Sequence, residues 1–306
     1  MPELKYRPLK TLFTSTFKTY VSLLKVMVPA ILIIKVLEMI GAIDWLAKAL
    51  DPVMGIMGLP GEAGLVWATC LMANIFAAIV VLFTHVDYSS FTVMQTTILA
   101  GLMLIGHALI VEGAIAKKVG LHWGFTLLFR IVGAIVFGVL INFTCTHLGL
   151  LQQTVSLDFI PQSQENQSLA GWAVDQLYGL VLLYLILFAL VTLILIMKKT
   201  GTIHFLEKLL APVLSKLGIS EHASYMTLIG MTLGLAYGGG LLLHESQKET
   251  LSKRDIFLSI SLISICHSLI EDTLVVMLIG PSLVVVLFFR LAYALIIVFM
   301  INKIKP

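Results

Sequence analysis

Residues 102–142 read LMLIGHALIVEGAIAKKVGLHWGFTLLFRIVGAIVFGVLIN, and residues 262–302 read LISICHSLIEDTLVVMLIGPSLVVVLFFRLAYALIIVFMIN. Laid on one another at an offset of 160 and without a gap, they agree at 12 of 41 positions, among them His107 with His267, Arg130 with Arg290 and Asn142 with Asn302. Working outward, the same offset pairs Gly41 with Gly201, Lys48 with Lys208, Pro52 with Pro212 and Gly58 with Gly218. Apolar runs match by chance, but coincident Pro, Gly, His and Arg at one constant offset do not. The chain is therefore one structural unit written twice.

Composition says where that unit resides. The 306 residues are 59% hydrophobic and 12% charged, with a mean hydropathy of +1.01. A soluble domain carries about 25% charged residues. Here several runs of roughly 20 residues are almost free of charge, each long enough to cross about 30 Å of hydrocarbon. This excludes a soluble enzyme, a nucleic-acid binder and a disordered chain. The formal charge of +3 comes from lysines and arginines concentrated between the apolar runs. Cys70, Cys145 and Cys266 are too scattered for a disulfide or zinc framework. The opening MPELKYRPLK is basic without an adjacent short apolar core and cleavage site, and reads as a retained cytoplasmic start.

Each repeat reads as the same series. An apolar helix (Tyr20 to Ile40; Tyr178 to Met197) precedes an amphipathic segment (Asp44 to Met57; Ile203 to Leu217) and a second apolar helix (Ala63 to Phe83; Ala223 to Leu243). An interrupted apolar stretch (Phe91 to Ala116; Ile256 to Ile279) and a closing helix (Trp123 to Phe143; Ser282 to Ile301) follow. The organisation expected is a cytoplasmic N-terminus over 1–19, membrane repeats over 20–143 and 177–302, an extracytoplasmic connector over 144–176 that holds no Lys or Arg, and a cytoplasmic C-terminus over 303–306. If the interrupted stretches are re-entrant hairpins, twelve Lys and Arg fall inside and four outside; full crossings give nine and seven. The positive-inside rule selects hairpins. The cluster HESQKETLSKRD stays outside in that arrangement, against the rule. Three crossings per repeat is odd, so the fold expected is an all-α polytopic membrane protein of two inverted-topology repeats. Each has three transmembrane helices, an amphipathic helix and a re-entrant helical hairpin, a build used by secondary transporters.

An ionisable group in hydrocarbon costs roughly 2.5–3.5 kcal/mol even on the lenient insertion scale, so each needs a partner or a task. Glu112 precedes Arg130 by 18 residues and Asp272 precedes Arg290 by the same 18, which predicts a structural ion pair in each repeat. Departures from symmetry point to function. Glu271 replaces Val111, and His244 and Glu245 replace Thr84 and His85. Glu271 reads as functional, whereas His244 and Glu245 read equally as an interfacial helix end. His107 and His267 stand where the hairpins should bend, either touching a central cavity or buried against a carbonyl. The run GLAYGGG over 234–240, with Tyr237, Gly238 and Gly239, weakens a helix at the place where Asn74 stands in the first repeat. Close packing of small residues is the alternative there.

No phosphate-binding GxxxxGK[ST] is present, and HESQK fails HExxH because Lys248 stands at the second ligand position. No enzymatic activity and no cofactor are expected. His244, Glu245, Cys266, His267 and Glu271 offer a weak donor set for a divalent metal.

The run GLAYGGGLLLHESQKETLSKRDIFLSISLISICHSLIEDTLVVMLIG, residues 234–280, resembles the Gate, or nucleoside-recognition, domain family of bacterial membrane proteins. Its duplicated unit also occurs in concentrative nucleoside transporters and in the membrane domain of the bacterial ferrous-iron permease. The resemblance covers about Tyr20 to Asn302. It implies paired hairpins around a central site and a role in moving a small solute across the cell inner (plasma) membrane. The permease's GTPase is absent, and its gate motifs are replaced by MANIFAA (72–78) and GLAYGGG. The function expected is a secondary transporter of a small polar, nucleoside-like solute whose site is lined by Asn74, His107, Tyr237, Gly238, Gly239, His267 and Glu271. The alternatives are a divalent-metal transporter and a non-transporting partner or sensor module. The partners expected are a small-molecule or ion substrate and the lipid bilayer, with no nucleic acid; the coupling ion, and a homo-oligomer or partner subunit, stay open.

Overall fold

The computed structural model describes residues 9–86, 88–155, 168–234 and 251–304. These are helical apart from short connections and one antiparallel bridge between Thr92 and Thr154. The first half contains α1 (Leu9–Met39), α2 (Ala42–Ile56), α3 (Glu62–Met72), α4 (Ile75–His85), α5 (Val93–Ile105), α6 (Leu109–Val119) and α7 (Trp123–Leu148). In the second half, the described residues form α8 (Leu169–Lys199), α9 (Thr202–Lys216), α10 (Glu221–Leu233), α11 (Lys253–Ile265), α12 (Glu271–Val276) and α13 (Arg290–Ile304).

Among the described residues, four segments are long and apolar enough to cross a bilayer: Thr16–Leu37, Trp123–Leu148, Leu169–Met197 and Val284–Lys303. The α5–α6 pair makes a fifth if its bend lies within one span. At 1.5 Å per residue, roughly 20 residues match about 30 Å of hydrocarbon. The protein is a polytopic, all-helical membrane protein.

Backbone features recur at the offset read from the sequence. Left-handed glycines close the turns at Gly41 and Gly201 (φ 69 and 77), Gly58 and Gly218 (71 and 80) and Gly120 and Gly280 (117 and 71). More telling are two non-glycine residues in the same region, Ala108 (φ 45) and Ser268 (φ 44), because a side chain makes that conformation costly. Helix starts correspond as well. Thr92 caps α5 in a box with Gln95, and Ser252 caps α11 with its hydroxyl bonded to Asp255.

Two expectations are corrected. The helix expected to run unbroken from Ala63 to Phe83 is α3 and α4, which pack against each other across a break at Ala73 and Asn74. Asn74 breaks it because its side-chain carbonyl takes the Ala77 N–H at 2.9 Å, making it the N-cap of α4. Its counterpart Gly234 ends α10 at φ 96; the remainder of that expected helix, to Leu243, lies outside the described residues. Conversely, the stretch Phe91 to Ala116, expected to fold back as a hairpin, bends by 41° between α5 and α6. A hairpin reverses its axis, and a 41° bend does not.

Candidate functional site

The bend at Gly106–Ala108 is the structural origin of the site. Every residue of α5 from Met94 to Ile105 is buried except Gln95 at its capped start, so the helix runs through the centre of the protein. At its end the Ala108 N–H donates to the Cys70 carbonyl of α3 at 2.9 Å. In the second half the Leu269 N–H donates to the Met231 carbonyl of α10 at 2.8 Å. These contacts hold the two interruptions open and present His107 and His267 inward.

The two histidines meet. Their Nε2 atoms are 3.0 Å apart, their rings 4.7 Å between centroids, and both are buried. Each Nδ1 lies 2.9 Å from the carbonyl oxygen four residues back, of Met103 and Ile263 respectively. Glu112 Oε1 is 3.2 Å from both Nε2 atoms. Its other oxygen pairs with the fully buried Arg130 guanidinium, whose Nε donates to the Ile105 carbonyl at 2.8 Å. Asp272 brings Oδ2 to 3.6 Å from His107 Nε2. The result is a buried cluster of two imidazoles, two carboxylates and one guanidinium, built from both halves.

The expected ion pairs differ. Glu112 and Arg130 are in contact and sit in the cluster itself. Arg290, also fully buried, donates to Thr273 Oγ1 at 3.3 Å and lies beside Cys266, while Asp272 faces His107. The physical reasons are local. Aspartate is one methylene shorter than glutamate, Thr273 supplies a hydroxyl where the first half has Gly113, and a π-helical turn over Val284–Phe289 changes the phase of the chain just before Arg290.

Of the other expected site residues, Asn74 is brought to the α3–α4 break, where its carbonyl serves as the α4 cap. Glu271 is half-buried in the first turn of α12 with its carboxylate outside the His107–His267–Glu112 triangle. Of the weak metal set, Cys266 is buried at the end of α11 and His267 alone joins the triangle. Tyr237, Gly238, Gly239, His244 and Glu245 lie outside the described residues. Sequence reasoning missed two things. It assigned Glu112 to scaffold, although that residue touches both histidines. It also passed over the serines of SISLISICHS, where Ser261 and Ser264 replace Gly101 and Leu104, and their buried hydroxyls meet no partner among the described residues. Polar residues on one side of a duplicated apolar helix were the available signal.

Comparison with known proteins places the chain. The profile of the Gate family, described as nucleoside recognition, matches residues 20–122. An uncharacterised membrane protein of Bacillus subtilis (strain 168), YvoD, is 32% identical over 286 residues, spanning 92% of this chain and 89% of its own length. No solved structure matches. A duplicated helical membrane unit with paired buried histidines, alike over nearly its whole length to YvoD, belongs to the Gate, or nucleoside-recognition, family of membrane proteins.

Proposed function

We propose that the protein is a secondary transporter built from two inverted repeats, carrying a small polar solute past the His107–His267 cluster. The observation that carries this reading is that residues 160 apart touch one another. His107 meets His267, the Tyr293 hydroxyl donates to the Gly133 carbonyl at 2.7 Å, and the Tyr20 hydroxyl donates to the Leu180 carbonyl at 2.8 Å. In a two-fold arrangement only residues on the axis meet their own equivalents, so these three contacts trace that axis. A buried charged cluster lies on it, in helices interrupted at matching positions, which is how secondary transporters build a site.

In this reading the re-entrant element is α3–α4, and α5–α6 crosses as a bent span. Each repeat then crosses three times, through α1, α5–α6 and α7, and through α8, α11–α12 and α13. The charge count improves. Among described residues outside the spans or at their very ends, Lys10, Lys18, Lys117, Lys118, Lys198, Lys199, Lys208, Lys216, Lys253, Arg254 and Lys303 fall on one side and Lys48 on the other, eleven to one. Lys253 and Arg254, misfits in the earlier placement, join the majority. The majority side is the cytoplasm by the positive-inside rule, and the bilayer is the plasma membrane.

Uptake into liposomes by the purified protein, with a panel of nucleosides, nucleobases, amino acids and divalent metals, tests the function. The expected result is uptake of one class, abolished by Glu112→Gln. No uptake of any member, with a stable membrane partner recovered alongside the protein, would favour a non-transporting module.

A further inference from the structure

The hydrogen-bonding of the two histidines determines what the cluster lacks. A carbonyl oxygen only accepts, so the Nδ1 atoms 2.9 Å from the Met103 and Ile263 carbonyls carry the ring hydrogens. Each neutral imidazole then presents Nε2 as a bare acceptor. These two acceptors face each other at 3.0 Å, with Glu112 Oε1 at 3.2 Å from both. With both rings neutral, three lone-pair donors converge in a buried place with no hydrogen between them, an arrangement that repels itself unless a metal cation or shared protons stand between them.

We propose that the His107–His267–Glu112 triangle binds one divalent transition-metal cation of the zinc, iron or manganese class, held between the two repeats. Tetrahedral sites with bonds of about 2.0–2.1 Å have ligand-to-ligand edges of about 3.3 Å. The edges here, 3.0, 3.2 and 3.2 Å, are within a few tenths of an ångström of that. Asp272 Oδ2, 3.6 Å from His107 Nε2, lies beside the triangle but outside it, so water completes the coordination. Two imidazoles, one from each repeat, and one carboxylate make a donor set that suits these metals and not calcium or copper(I). The outer contacts are those of a metal site too. Backbone carbonyls fix the tautomer and orientation of both rings, and Arg130 orients the Glu112 carboxylate and offsets its charge.

The proposal rests on the reading of this cluster as the central site, but its test reads metal binding alone. A protein that binds metal and moves nothing upholds it, and one that transports a solute but binds no metal overturns it while leaving the transporter reading intact. The full-length protein, purified in detergent and stripped with chelator, is titrated with Co2+ and followed by its visible d–d absorbance. One Co2+ per chain with tetrahedral bands, displaced by Zn2+, is expected. His267→Asn and Glu112→Gln should abolish the bands, and Arg130→Gln should weaken binding roughly 10- to 100-fold. His122→Ala and His147→Ala, at exposed positions, should leave binding unchanged. Because buried variants risk misfolding, X-ray absorption of the Zn2+ form of the unaltered protein is the second measurement, with scattering from two imidazoles expected. Absence of stoichiometric binding in the unaltered protein, persistence of the bands in both ligand variants, or absence of imidazole scattering would each overturn the site. Stability that ignores chelator and follows pH instead would assign the triangle to shared protons, with the same consequence.

Discussion

His107 and His267 stand 160 residues apart in the chain and 3.0 Å apart in space, each pinned by a carbonyl four residues before it. The interruption that ends α5 and the one that ends α11 therefore meet at a single point. Because Glu112 touches both rings and is held by Arg130, local folding of either half is tied to the other through one carboxylate.

That tie is testable through stability. Arg130→Met leaves the Glu112 carboxylate buried without its guanidinium, which should cost about 3–5 kcal/mol in unfolding measurements on the detergent-solubilised protein. Adding Glu112→Leu to that variant removes the stranded charge and should restore most of the loss. Equal instability of the single and double variants would show that the pair acts otherwise.

Membrane sidedness separates the two placements of the hairpin. With Cys70, Cys145 and Cys266 replaced, Gln153→Cys should react with an impermeant thiol reagent applied to intact cells, and Lys253→Cys should react after permeabilisation alone. Labelling of Lys253→Cys from outside would return the re-entrant element to the α5–α6 segment.

The α3–α4 break depends on one cap. Asn74→Ala removes the acceptor for the Ala77 N–H and should lower stability by about 1 kcal/mol, whereas Asn74→Ser, another good cap, should recover most of it. Thermal unfolding of the three proteins side by side decides the point.

Glycines on the central helices should differ by what faces them. A Cβ on Gly101 would overlap the Phe137 ring, so Gly101→Ala must push α5 from α7 and should destabilise by about 1–3 kcal/mol. At Gly133 the nearest atom would be 3.8 Å away, so Gly133→Ala fits and should gain up to about 1 kcal/mol of helix propensity. A comparable loss in both variants would contradict this packing.

Duplication and membrane residence were legible in the chain, because they depend on hydropathy and on coincident Gly, Pro, His and Arg at one offset. Helix breaks were half legible. His107 and His267 marked interruptions correctly, yet periodicity carries no direction, so nothing in the Phe91 to Ala116 stretch told a 41° bend from a reversal. Asn74 could have flagged the other break, but a cap residue in an apolar run acts as a cap only where the backbone is free to leave the helix.

Pairing was decided by the tertiary structure. Equal spacing of Glu112 to Arg130 and Asp272 to Arg290 predicted two equal ion pairs, whereas the fold gives Glu112 to Arg130 and both histidines, turns Asp272 toward His107 and offers Arg290 the Thr273 hydroxyl. Sequence spacing fixes distance along a helix but not across an axis. Where two repeats meet, a group has neighbours from its own half and from the other, and a single methylene or one π-helical turn is enough to choose between them.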